Sequence, residues 1–197
     1  MENAGTQIAP LVTLFGPVRR VTALATHRAD AQAAPDLSFG LLEFDDGVVA
    51  RLTTATTGPV NRSLRLVGTE GSASLADVWD FPAQASLSPA GCSGARGLLR
   101  KVEGLVQGWA PGIGLGPRLI SAKPSTMVRL KGGGPRFDFA RGISALVDAV
   151  RGGPNRVPAS LGLHILEVSW ALQAAPGSAT QTITTQPERP ALYDWAK

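Results

Sequence analysis

Two β-rich runs flank the tripeptide Asp45-Asp46-Gly47, and this constrains the chain more than any other feature. Leu37-Ser38-Phe39-Gly40-Leu41-Leu42-Glu43-Phe44 leads in, and Val48-Val49-Ala50-Arg51-Leu52-Thr53-Thr54 leads out. An Asp-Gly step between such runs is a strong hairpin signal, because Gly accepts the left-handed backbone that the turn needs. A hairpin makes its two strands antiparallel. The neighbouring segments extend the pattern. Residues 18–28 alternate, with Val21, Ala23 and Ala25 on one side and Arg20, Thr22 and Thr26 on the other. Residues 62–68 point Leu64 and Leu66 inward, and Ser63 and Arg65 outward. Gly68-Thr69-Glu70-Gly71 turns the chain, and Ser72–Asp77 returns. Four or five sequential strands with tight turns predict a largely antiparallel sheet over residues 17–77.

Helical periodicity lies outside that run. Residues 5–15 place Ile8, Leu11, Val12 and Phe15 on one face, and Gly16-Pro17 stops them. Residues 95–107 read as an amphipathic helix through Leu98, Val102, Leu105 and Val106. Residues 137–151 carry a predicted buried stripe of Phe139, Ile143, Leu146, Val147 and Val150, ended by Gly152-Gly153-Pro154. Ser160 is the expected N-cap of a further helix over 161–175, with Leu161, Ile165, Val168 and Leu172 facing one way. Residues 126–131 and 180–185 are weaker strand candidates. Strands and helices are therefore segregated. The expected class is α+β: a large, mainly antiparallel open β-sheet with helices packed on one face. The expected organisation is a single domain over 1–197. It comprises a sheet (17–77), a basic irregular insertion (78–136), helices (137–175) and a tail (176–197).

The chain has 197 residues, enough for one core, but too few for a Rossmann domain beside a full substrate domain. Its 44% hydrophobic content excludes a disordered chain despite 23 Gly and 15 Pro. The net charge of +4 is concentrated in residues 91–136, where eight basic residues meet one acid, Glu103. They are spread through Gly- and Pro-broken sequence with one aromatic, Trp109, which is poor material for nucleic-acid binding. No nucleic-acid partner is expected. No run of ~18 apolar residues reads as a membrane span, and the N-terminus lacks the basic start of a secretory signal. Cys92 is the single cysteine, so no intrachain disulfide and no Cys-based zinc site can form. The expected compartment is the cytoplasm.

Motifs for chemistry are sparse. Gly112-Ile113-Gly114-Leu115-Gly116-Pro117 approaches a dinucleotide loop, but Pro117 replaces the third Gly and no β-run precedes it. Gly91-Cys92-Ser93-Gly94-Ala95 approaches a nucleophile elbow, but Ala95 replaces the closing Gly. His164 and Glu167, at i and i+3, have metal-ligand spacing. No second pair accompanies them, so a histidine satisfied by a neighbour is the favoured reading. Asp138 and Arg141 open a helix, either as an acid favourable to its dipole paired with Arg or as a polar pair touching substrate. Thr53, Thr54, Thr56 and Thr57 put hydroxyls on both faces of one strand. They read as exposed strand surface or as a face that meets substrate or a second subunit.

Five segments, in order, resemble one family. They are Phe15-Gly16-Pro17-Val18 with Val21-Thr22-Ala23, Leu42–Ala50, Leu64–Gly71, Phe137–Gly142 with Leu146–Arg151, and Ala159-Ser160 with Leu163–Val168. Together they resemble the C-terminal domain of the glucose–fructose oxidoreductase, inositol dehydrogenase and rhizopine-catabolism family (Gfo/Idh/MocA). The resemblance implies a substrate-binding and oligomerisation domain of an NAD(P)-dependent dehydrogenase acting on a sugar-like or polyol substrate. It implies a homo-oligomer formed through the open sheet face. In full-length members a Rossmann domain precedes this one and carries NAD(P), and the family's Glu-Lys-Pro motif lies upstream of everything present here. Ala122-Lys123-Pro124 is not that motif. The family's catalytic Asp/His pair would fall near the first helix, where this chain has Thr6 and Ala9.

The expectation is therefore a domain inactive alone, with no catalytic, cofactor-binding or metal residues of its own. Arg65, Asp138, Arg141 and His164 are its candidate substrate contacts. The alternative is a non-enzymatic module that binds a ligand or protein on the sheet face.

Overall fold

The computed structural model describes residues 4–26, 35–56, 58–79, 84–90, 118–121, 140–174 and 177–192. They form helix α1 (Ala4–Phe15), strands β1 (Val18–Thr26), β2 (Leu37–Phe44) and β3 (Val49–Ala55), then β4 (Leu64–Gly68), β5 (Gly71–Leu75), β6 (Gln84–Pro89) and β7 (Arg118–Ser121). Helices α2 (Ala140–Val150) and α3 (Ala159–Gln173) and strand β8 (Gly177–Thr182) follow. The class is α+β with open antiparallel pairing, as expected, but the strands of residues 17–77, expected in one large sheet, belong to two. The strands divide into two four-stranded sheets, ordered β3-β2-β1-β8 and β4-β5-β6-β7. The chain correspondingly divides into two compact units, residues 1–60 with 138–197 and residues 61–137. The break follows Gly58-Pro59, where Pro has no N–H to give to a ladder.

In the first unit the Asp-Gly hairpin forms as its chemistry demands. Gly47 takes φ 86° and donates to the Phe44 carbonyl, while Phe44 N–H reaches Val48 O at 2.9 Å. Asp46 Oδ1 accepts from Val48 N–H at 3.0 Å, a local bond typical of turn aspartates. β1 pairs antiparallel with β2 on one side and with β8 on the other. The β1–β2 register slips between Val18 and Arg20, so Arg19 is the extra residue of a bulge. One face of this sheet is sealed by α1 and α3. Ile8, Leu11 and Val12 of α1 are buried, as are Val18 and Val21 of β1, Leu42 and Phe44 of β2, and Val168 and Leu172 of α3. Phe15 meets Phe44 edge-on with centroids 5.7 Å apart. Gly40 lets α3 approach the sheet, because a Cβ there would collide with Leu172 Cδ2.

Helix ends follow two rules and break a third. Gly16 at φ 84° ends α1 by donating to the Val12 carbonyl. The α2 terminus closes with Gly152 N–H on Ala149 O and Gly153 N–H on Asp148 O, the paired bonds of a Schellman motif. The expected Ser160 cap does not form. α3 starts at Ala159 behind an extended Pro158, with no side-chain cap, and Ser160 Oγ instead accepts from Glu188 N–H at 3.0 Å. The predicted buried stripe of α2 also departs from expectation. Ile143 is 69% and Val150 81% exposed, Leu146 and Val147 are exposed too, Ala145 is buried, and Phe139 lies outside the described residues.

In the second unit, β4 and β5 form the expected hairpin across Thr69-Glu70, with Gly68 opposite Gly71. Arg62 grips Asp77 through Nε and Nη2 and lies 4.5 Å from the Trp79 ring centre. β6 and β7 fall inside residues expected to be irregular. β6 is a Gln-Ala-Ser-Leu-Ser-Pro run with little apolar contrast, and β7 has only four residues, so neither carried a readable period. The predicted helix 95–107 and strand 126–131 lie outside the described residues.

Candidate functional site

Two features of the first unit invite a functional reading: the face of its sheet that its described elements leave uncovered, and the histidine beneath the other face. Alternation along β1, β2 and β3 sends Arg20, Thr22, Leu24, Phe39, Leu41, Glu43 and Arg51 to the uncovered side. Leu24, Phe39 and Leu41 are 46%, 42% and 45% exposed, and the register places Leu24 opposite Phe39. Arg20 Nε donates to Glu43 Oε1 at 2.9 Å, which raises the guanidinium pKa and lowers that of the carboxyl. Thr22 and Thr180 hydroxyls meet at 3.0 Å across β1 and β8. The result is an apolar centre with charged and hydroxyl borders.

His164 is fully buried on the covered side. Its Nε2 accepts from Val18 N–H at 3.0 Å. An accepting Nε2 carries no proton, so the neutral ring holds its hydrogen on Nδ1, which lies 3.0 Å from Thr185 O and 2.9 Å from Thr185 Oγ1. Burial lowers its pKa below 6.5, while Thr185, Glu167 and Asp45 pull the other way. Glu167, one turn on, takes hydrogen bonds from both the N–H and the hydroxyl of Thr184 and of Thr185. Burial raises its pKa, but those four donors outweigh it and hold the carboxyl at about 2.

The candidate contacts fall on different elements. Arg65 is exposed on β4, opposite Ser74, in the unit formed by residues 61–137. Arg141 lies in the first turn of α2, and Asp138 lies outside the described residues. The His164 partners, Val18 and Thr185, include none of the other candidates. Thr184 and Thr185 are the residues that sequence reasoning missed. They lie 17 and 18 residues beyond Glu167, and the available signal was a hydroxyl pair beyond a strand. Among the described residues, no group of three or more His, Cys, Asp or Glu is placed to hold a metal ion. Among them, too, no helix is long and apolar enough to cross a membrane.

An open antiparallel sheet backed on one face by helices defines an α+β domain. The family model for the GFO/IDH/MocA C-terminal domain matches residues 7–74, which hold most of α1, the first three strands and nearly all of the β4–β5 hairpin. The resemblance of this chain to the C-terminal domain of those oxidoreductases is thereby borne out, and an oxidoreductase-family domain is what the match supports. No curated protein matches the chain. Among solved structures, the chain is similar to an oxidoreductase from Thermotoga maritima, at 19% identity and a TM-score of 0.38. That match covers 56% of this chain and 33% of the other, so the chain spans about a third of that protein.

Proposed function

We propose that this chain is the substrate-side and oligomerisation half of an NAD(P)-dependent dehydrogenase for a sugar-like or polyol substrate, inactive alone and working in the cytoplasm. The supporting observation is the uncovered sheet face. Leu24, Phe39 and Leu41 form an apolar centre bordered by Arg20, Glu43 and Arg51, and the opposite face is closed by helices. An apolar centre with a polar border is the anatomy of an association surface. In this proposal a second copy covers it. Arg65, Asp138 and Arg141 stay as proposed substrate contacts. His164 leaves that set, because both ring nitrogens are engaged and no part of it reaches the surface.

Light scattering on the purified chain, with calorimetric titration of NAD⁺ and NADP⁺, tests this. The expected outcome is a dimer or larger assembly with no nucleotide heat. A monomer that binds a sugar or a peptide on the sheet face would favour the non-enzymatic module instead.

A further inference from the structure

The pairing of β8, β1, β2 and β3 lays the exposed side chains of the first sheet out in rows. Arg20 stands beside Glu43 in the first row, with Val49 at its β3 end. The second row runs Thr180, Thr22, Leu41, Arg51. The third holds Leu24 beside Phe39, with Ser178 at its β8 end and Thr53 at its β3 end. Each charge therefore has a set position in a grid. Arg20 donates to Glu43 through Nε at 2.9 Å and Nη2 at 2.5 Å, yet the two side chains stay 53% and 35% exposed. Arg51 is exposed on the edge strand β3 and has no ion-pair partner among the described residues. The grid is thus unequal across the strands, with hydroxyls at its β8 edge and Arg51 at its β3 edge.

We propose, resting on the pairing of two sheet faces proposed above, that the two-fold axis runs parallel to the strands between β1 and β2, so that Arg20 of each copy meets Glu43 of the other. Stacked sheets keep their strands within about 30° of each other, which leaves two placements for an axis in the plane between them. An axis along the strands exchanges β1 with β2 and β8 with β3, and keeps every row in place. It sets Arg20 over the partner's Glu43, Leu24 over the partner's Phe39, and Arg51 over the partner's Thr180. Each charge then faces an opposite charge or a hydroxyl across the ~10 Å between packed sheets, a gap that Arg and Glu side chains span. The four charges of the first row alternate in sign, on the border of the apolar patch. An axis across the strands, centred on the same patch, keeps each strand over its own counterpart and reverses the rows. Arg51 then meets the partner's Arg51, while Arg20 and Glu43 are pressed onto the partner's Leu24 and Phe39. Like charges brought together, and ionised groups desolvated by apolar ones, both oppose association. The charges therefore select the axis along the strands.

Exchanging the two charges tests this. Arg20→Glu combined with Glu43→Arg keeps an ion pair inside each chain and opposite charges between two such copies. Against a wild-type copy it sets acid over acid and base over base. The exchanged chain should associate with itself. Its mixed pairs with a differently tagged wild-type chain, counted by native mass spectrometry, should fall at least about tenfold below the statistical share. Mixed pairs at the statistical share overturn the orientation, because an axis across the strands keeps Arg20 and Glu43 apart between copies. A bifunctional thiol reagent spanning about 10 Å gives a second reading that does not need the exchanged chain to fold. With Cys92→Ser removing the one native thiol, Thr53→Cys in one copy should link to Ser178→Cys in the other. Linking of Thr53→Cys to Val49→Cys instead places the axis across the strands and overturns the orientation. In either of those cases the chain still pairs through the sheet, so the orientation alone fails. A wild-type chain that stays monomeric overturns the pairing and the orientation together.

Discussion

Gly40 and Glu167 show how much of this fold rests on single residues. At Gly40 the missing side chain is what allows Leu172 to lie on the sheet. Leu172 is 1% exposed and has little room to move aside. Gly40→Ala should destabilise the chain by about 1–3 kcal/mol through overpacking, read as a lower urea midpoint at unchanged slope. Equal midpoints would mean that α3 gives way freely. Glu167 acts through charge. Its folded pKa of about 2 lies below the ordinary 4.5, so its contribution is complete above pH 4.5 and is lost as pH falls toward 2. The shift corresponds to a stabilisation on the order of 2–3 kcal/mol at neutral pH, allowing for partial exposure. Glu167→Gln should remove most of it and flatten the stability profile between pH 4.5 and 2, measured by urea unfolding across that range. A variant retaining the wild-type slope would assign the acid sensitivity elsewhere. Neither role was visible beforehand. Gly40 read as one more strand residue, and Glu167 read as half of an incomplete metal pair, because its donors are remote in sequence.

At the scale of elements, local chemistry was legible and burial was not. The Asp-Gly turn, the Gly16 stop and the Gly152 stop each depend on residues within a few positions, and each formed. Ser160 failed as a cap because a distant backbone amide, Glu188 N–H, claimed its hydroxyl. β6 lacked apolar contrast, and its pairing with β5 supplies what its own sequence does not. Helix α2 makes the point most sharply. Its period correctly identified a helix with an apolar face, but periodicity cannot say whether that face is covered. The structure leaves Ile143 and Val150 largely open to solvent. Ile143→Ser should therefore change the stability of the chain by no more than about 0.5 kcal/mol, where a core position would lose several times that. Thermal and urea unfolding of the variant distinguish the two.

For the whole molecule, the proposed pairing of two copies rests on the open sheet face. Its centre is apolar enough to lose by exposure to water, yet Arg20, Glu43 and Arg51 keep its border soluble. A two-fold pairing sets the same patch against itself, so one substitution is felt twice in each dimer. Leu41 lies in β2 between Thr22 and Arg51, with its side chain on the uncovered side. Leu41→Glu adds four acidic groups to a four-chain assembly and two to a dimer. Like charges brought together across an apolar centre are costly to desolvate. The expected outcome is dissociation to monomers at micromolar concentration, seen by light scattering. Far-ultraviolet circular dichroism and the urea midpoint of the separated chain should stay close to those of the wild type, because Leu41 contributes nothing to the core beneath α1 and α3. Dissociation without loss of fold would identify the sheet face as the association surface. Retained assembly would move the interface to another face, with the apolar stripe of α2 the next surface to substitute.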